Sequence, residues 1–216
     1  TYNSIDSSLW YIIGHYIYAE AYDDESLIER HKKSIARALI WLKYQDPNED
    51  KLLTQLPTMD WQDAFPHKYG RVLNTQALYH MVLKMVGNSK EAKALKRNVN
   101  GDTFGYLNIW SKKLGYYYPW IWKDHDGDLE HNEWFDSLGN TLAILFGLAT
   151  VKQAKSIVKH IEKDKISSPV PLKAIWHPIK PGDKAWRSYF SKCDAKDPLH
   201  YLNGGIWPLI GGFYVG

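Results

Sequence analysis

The sequence predicts an all-α fold of about seven helices, taken in pairs and joined by long loops. Three observations predict it. Apolar residues recur at three- and four-residue spacing through most of the 216 residues, the period of one helix face. No stretch alternates apolar and polar residues convincingly, so no strand is expected. The segments between periodic stretches are long and rich in proline, aromatic rings and carboxylates. Loops of that kind carry function on a rigid scaffold.

The elements follow in order. A first helix is read from Ser7 to Tyr22, with Leu9, Ile12, Ile13, Tyr16 and Ile17 on its apolar face. Asn3, Ser4 and Asp6 offer capping oxygens before it. A second runs from Glu25 to Tyr44, and Asp46-Pro47-Asn48 breaks it. Residues 46–71 keep no period and carry Pro57, Pro66 and Gly70, which marks a long functional or disordered loop. A third helix spans Thr75 to Val86 and stops at Gly87. A fourth is read from Ser89 to Lys113, with a weak point at Asn98-Val99-Asn100-Gly101. Tyr116 to Asn132 is irregular. A fifth helix, Phe135 to Ala149, is apolar nearly all round and therefore buried. A sixth runs from Val151 to Lys163. Residues 167–203 form a third long loop, and GGIWPLIGGFYVG begins a last apolar helix.

Composition excludes several functions. Lys+Arg number 27 against 24 Asp+Glu, a net charge of +3, with no clustered basic face for nucleic acid. No apolar run is long enough to span a membrane. The single Cys193 excludes an internal disulfide and any CxxC metal site, and leans the chain toward the cytoplasm. Neither a signal peptide nor a Met opens the sequence, so the numbering is expected to start inside a longer product. There is no HExxH, GxSxG, P-loop or GxGxxG. The unusual quantity is aromatic content: 10 Trp, 15 Tyr and 6 Phe. Such rings serve a core, an interface, or stacking against sugar rings.

Four segments gather acids, amides and aromatic rings. YNSIDSSLW places Asp6 at a helix start, where a plain capping role competes with a catalytic one. TMDWQDAFPHKYGR sets Asp60 and Asp63 around Trp61, either flanking an aromatic platform or in a solvated turn. KDHDGDLEHNEWFD holds Asp124, Asp126, Asp128, Glu130, Glu133 and Asp136 just after Trp122. Its alternating acids resemble a calcium loop. However, Gly127 stands fourth where an EF-hand wants glycine sixth, and Phe135 stands twelfth. A solvated or polyol-binding loop is the better reading, and neither metal nor cofactor is expected. DPLHYLNGGIWP carries Asn203-Gly204-Gly205 ahead of Trp207, a turn that brings backbone close to a ligand or simply enters a helix. Carboxylates, tryptophans and amides together are the equipment of glycoside binding or hydrolysis.

In this order the four segments resemble the alkaline/neutral invertases and their amylo-α-1,6-glucosidase (glycogen debranching) and mannosyl-oligosaccharide-glucosidase-like relatives. YNSIDSSLWYI is similar to the VDSGLWW-like start of the invertases and to a YNSxDxSLWF-like stretch of the debranching relatives. TMDWQDAFPHKYGRVLNTQALYHMVLKM resembles a MxWMDA…GxPxEIxALxYxAL segment. EWFDSLGNTLAILFGLAT resembles FxSLGNLxxIxxxLAT, and DPLHYLNGGIWPLI resembles WSYHNGGSWPxLL. The resemblance runs from Tyr2 to Gly216. It implies an (α/α)6 toroid, incomplete here, as a single partial domain over 1–216.

The resemblance also implies roles. Asp6 matches the general acid of an inverting glycosidase acting on sucrose, an α-1,6-glucan branch or a related α-glucoside. Trp10, Asp60, Trp61, Asp63, Gln76, Trp122, Asp124, Asp126, Asp136, His200, Asn203, Gly204 and Trp207 fall on substrate-facing positions, with Gly205 beside them. Asn74 stands where the family often has Glu. The family's second carboxylate lies beyond the HNGG stretch, and no position here matches it. The runner-up is a carbohydrate-binding, non-hydrolytic derivative, and a third reading is a structural helical module. The expected partners are a carbohydrate and either a second copy or a further segment completing the ring.

Overall fold

The computed structural model describes residues 4–101, 108–123 and 126–216. Among them seven α-helices dominate: α1 Ile5–Tyr22, α2 Ser26–Lys43, α3 Leu73–Met85, α4 Ser89–Val99, α5 Ser137–Leu145, α6 Val151–Lys163 and α7 Pro208–Val215. Helix α1 packs on α2 and α3 on α4, while α1, α3, α5 and α7 pack successively on one another. The odd-numbered helices thus form an inner row and the even-numbered ones an outer row. This is the arrangement of an (α/α) toroid, present here as an arc.

The sequence explains which helix lies in which row. From Leu73 to His80 every residue of α3 is buried, as is α5 from Ser137 to Ala143. Among the described residues of the outer row, α2 buries only Ile35 and Leu42, and α6 only Ile157 and Ile161. Their remaining faces are charged, as expected for helices with one side in water. Local signals fix the ends. Thr150 and Gln153 form a capping box at α6, with Gln153 N–H donating to Thr150 Oγ1 at 3.3 Å. Pro208 takes the first position of α7.

The expectation of no strands is corrected. A three-stranded sheet runs in the order β1 (Arg71–Val72), β4 (Trp120–Lys123) and β5 (Leu129–His131). Strand β2 (Trp110–Ser111) pairs with β3 (Tyr116–Tyr117), and β6 (Phe135–Asp136) with β7 (Ile175–Trp176). Strands this short hold too few residues for a period of two to register. The expected helix from Ser89 to Lys113 ends at Val99, at the Asn98–Gly101 weak point. There Asn98 Nδ2 donates to Asp50 O at 2.5 Å, and Gly101 takes φ 78°. Phe135 and Asp136, expected inside the fifth helix, are strand and N-cap instead.

The loops before the inner helices are sewn together by backbone hydrogen bonds. Ile5 N–H donates to Met59 O at 2.7 Å, and Leu73 N–H to Pro119 O at 3.0 Å. Ser137 N–H donates to Ala174 O at 3.2 Å, and Ala174 N–H to Gly205 O at 2.8 Å. The starts of α1, α3, α5 and α7 are therefore held at one end of the molecule. Gly139 lets two of them touch, because a Cβ there would sit 2.9 Å from the Leu73 side chain.

Candidate active site

Asp6 lies buried in the first turn of α1. The Ser4 hydroxyl donates to its carboxylate, and the Trp61 backbone N–H does the same. Burial raises its pKa above the ordinary carboxylate range; nearby Asp60 adds to the rise, while the two hydrogen bonds and Lys68 oppose it. The capping role weighed for Asp6 is not seen. Ser4 is the N-cap residue, and no side chain caps α1.

Asp60 is held on both oxygens. Oδ2 meets Lys68 Nζ at 2.9 Å and accepts from Gln55 Nε2 at 3.0 Å, and Oδ1 accepts from Gln62 N–H at 2.9 Å. The side chains of Lys68 and Asp60 are each only 1% exposed. Lys68 also donates to Asn74 Oδ1 at 3.0 Å, which ties the loop to the first turn of α3. Asp136 caps α5 by accepting from Gly139 N–H at 3.1 Å. Burial pushes its pKa up, Lys68 and the Gly139 N–H oppose this, and Asp60 reinforces it. Three carboxyl groups thus feel one ammonium, and burial raises the pKa of two of them, Asp6 and Asp136.

Residues beside this cluster carry buried polar atoms without partners: both side-chain ends of Gln62, Asn74 Nδ2, Asp136 Oδ2, Ser137 Oγ and Trp61 Nε1. Buried polar groups are normally satisfied, so such a concentration calls for an explanation. All of these atoms are sealed from solvent, a setting that suits ordered buried water.

Aromatic rings stand over the same end. Trp10 follows Asp6 by one helical turn on one face of α1. It stacks on Phe213 of α7, with centroids 5.6 Å apart and planes at 19°. Trp61 meets Trp207 edge-on at 5.9 Å, and Trp207 meets Tyr201 at 5.1 Å. Asp6, Trp10, Asp60, Trp61, Asp136 and Trp207 are therefore gathered around the inner-helix starts.

Other expected site residues sit elsewhere. Gln76 was expected to face the pocket, but its amide is a fastener. It accepts from Leu53 N–H at 3.0 Å and donates to Leu53 O at 2.7 Å and Val72 O at 3.3 Å. Asn203 is likewise fully engaged, with Ile179 N–H at 2.7 Å, Ile179 O at 2.8 Å and Lys196 O at 2.6 Å. Its glycine neighbours serve the turn: Gly204 takes φ 94°, and a Cβ on Gly205 would sit 2.4 Å from Tyr201 O. Asp63, Asp126 and His200 are exposed, and Asp124 lies outside the described residues. Trp122 is half-buried on β4. It lines a cavity of about 360 Å³ with Tyr69, His67, Arg187 and Gln55, and Gln55 joins that cavity to the Asp60 network. Among the described residues no group of His, Cys, Asp and Glu is arranged to hold a metal ion.

Sequence reasoning missed Lys68, Gln55 and Gln62. A lysine in a polar loop is solvated by default, and Lys68 carries no local mark of burial. The faint signal was its place inside the acid- and aromatic-rich segment 58–71.

Residues 127–214 match the family model of alkaline and neutral invertase. The chain is 38% identical over 80 residues to "Cytosolic invertase 1" of Oryza sativa subsp. japonica, covering 36% of this chain and 14% of the rice protein. It is 36% identical over 78 residues to "Neutral/alkaline invertase 1, mitochondrial" of the same plant, covering 35% of this chain and 12% of that protein. The matched stretches are thus a small part of either relative. They support the invertase side of the resemblance and the glycosidase class, and the family-model match spans Asp136, the NGG turn and Trp207.

Proposed function

We propose that these residues belong to an inverting glycoside hydrolase of the invertase kind, cleaving the glycosidic bond of sucrose or a related α-glucoside. The observation that carries the reading is Asp6. It is a buried carboxyl with a raised pKa at the start of an inner helix, accepting from the Trp61 backbone N–H and standing one helical turn before Trp10. A protonated Asp6 donates to the leaving glycosidic oxygen as the bond breaks. Asp60 and Asp136 keep the surroundings acidic, and Lys68 prevents the cluster from accumulating uncompensated charge. Trp10, Trp61 and Trp207 shelve the ring. Water attacks the anomeric carbon from the opposite face. A second carboxylate, about 6.5–9.5 Å across the bond as inversion requires, takes its proton.

The test is hydrolysis of sucrose, maltooligosaccharides and limit dextrin by the protein that carries these residues, with the anomer of the first product read by NMR. Asp6→Asn is expected to lower turnover by about 10²–10⁴-fold, the usual worth of a general acid. Full activity in that variant sinks the reading. Preference for limit dextrin over sucrose transfers the site to the debranching relatives. Sugar binding with no hydrolysis favours the binding-protein alternative. A cytoplasmic setting fits the lone Cys193 and the name of one rice relative. No described helix is long and apolar enough to cross a membrane. Exposed Ile17 and Tyr18 on α1 and Leu209 on α7 fit the expected association with further helices or a second copy.

A further inference from the structure

The cavity beside Trp122, about 360 Å³, shares a wall with the carboxylate cluster but is lined by no acid. Gln55 is that wall. Its backbone pairs with Gly70 through hydrogen bonds of 3.0 and 2.9 Å. Its side chain donates to Asp60 Oδ2 at 3.0 Å and accepts from the Thr75 hydroxyl. Gly70 makes room for the neighbouring ring. It takes φ 73°, and a Cβ there would sit 2.9 Å from the Trp122 side chain. Glycine therefore lets the indole lie against the Gln55–Gly70 bridge.

The aromatic walls are held by their own contacts. Tyr69 packs on buried Trp120 with centroids 4.3 Å apart, and meets Trp122 at 6.5 Å. Its hydroxyl donates to Glu130. His67 stands 5.4 Å from Tyr69, and its Nδ1 meets the Tyr189 hydroxyl at 2.5 Å. Burial lowers the His67 pKa and Arg187 lowers it further, so the imidazole is neutral at neutral pH. One cation joins these rings. Arg187 is half-buried, lines the cavity and reaches the Tyr69 hydroxyl. It makes no ion pair among the described residues. A guanidinium carries five N–H donors, so donors remain for a ligand.

Apolar walls with a few placed polar groups are the usual form of a small-molecule site, and the volume lies at the lower end of the usual range of about 300–1,000 Å³. A sugar ring answers both features. Its C–H face lies on an indole, and its hydroxyls accept from a guanidinium. A purely apolar ligand would use the rings and leave Arg187 idle.

We propose that this cavity is a sugar subsite, in which one ring of an oligosaccharide lies on Trp122 with its hydroxyls toward Arg187 and His67. The rest of the oligosaccharide passes Gln55 toward the Asp60 side. The proposal rests on the carbohydrate reading above and extends it from the bond that is cut to a sugar beyond it.

Calorimetric titration with glucose, maltose and maltotriose tests it, in an Asp6→Asn background so that no sugar is consumed. Affinity is expected to rise at least about tenfold from glucose to maltotriose. Trp122→Ala and Arg187→Gln should each remove most of that rise, the usual effect of truncating a tryptophan or arginine anchor. Trp122→Tyr keeps a ring and should keep the rise. Thermal melting reports whether each variant is folded, and Arg187→Gln decides the matter if Trp122→Ala is not. Affinity that does not grow with chain length, growth unaltered in the folded variants, or cyclohexanol binding tighter than maltotriose overturns the proposal. Hydrolysis by the parent is read separately. A rise that depends on Trp122 and Arg187 in a protein that cleaves nothing keeps the subsite and sinks only the glycosidase reading.

Discussion

Two acidic regions look alike in the sequence and differ in the fold. Asp6, Asp60 and Asp136 are buried at the inner-helix starts, each held by hydrogen bonds or by Lys68. Asp126, Asp128 and Glu130 ride the β4–β5 hairpin in water. The difference lies in what surrounds each acid rather than in the acids themselves. A carboxylate at the start of a helix sits at the positive end of its dipole, and the toroid brings four such starts together. The hairpin leaves its acids exposed, and there Glu130 accepts from the Tyr69 hydroxyl. Burial makes Asp6 and Asp136 candidates for proton chemistry, pairs Asp60 with Lys68, and leaves the hairpin acids as an exposed face.

The comparison breaks most sharply at Lys68. Lys68→Met leaves Asp60 buried without its counter-ion and is expected to cost about 3–5 kcal/mol, the usual penalty for halving a buried pair. Thermal unfolding checks it, and the double change with Asp60→Asn should recover much of the loss. Gly139→Ala comes next, at about 1–3 kcal/mol, because the added methyl drives against the Asp136 carboxylate and against Leu73 where α3 and α5 meet. A neutral result there means the helix starts are not tightly apposed. Asp6→Asn acts through pH. A carboxyl whose folded pKa is raised binds its proton more tightly in the native state, so stability falls as pH rises from the unfolded value toward the folded one. The Asp6→Asn protein should match the parent at low pH. Above the ordinary Asp value of 3.8 it should become progressively more stable than the parent, as melting temperatures across a pH series would reveal.

Much of this was legible in the residues. The helical period located all seven helices among the described residues, and the all-round apolar run from Phe135 marked an inner one. The order of the four segments pointed to Asp6, Trp61 and Trp207. What stayed hidden depends on three dimensions. Strands of two to four residues carry no readable alternation. An amide such as Gln76 or Asn203 looks the same whether it faces a ligand or fastens a loop; only its hydrogen-bond partners tell. Lys68 became visible only once Asp60 and Asn74 closed around it.

The smallest expected effect belongs to the hairpin. Asp126 is exposed, and no cluster arranged for a metal exists among the described residues. Asp126→Asn should therefore shift stability by no more than about 0.5 kcal/mol, the range of an ordinary surface change. Sucrose turnover should be unaffected, and adding calcium should not move the melting temperature of either protein. A calcium-dependent rise in the parent that Asp126→Asn abolishes would give the hairpin a bound ion and a structural role. The contrast between the two acidic regions would then be one of ligand type, proton against metal, rather than of burial against exposure.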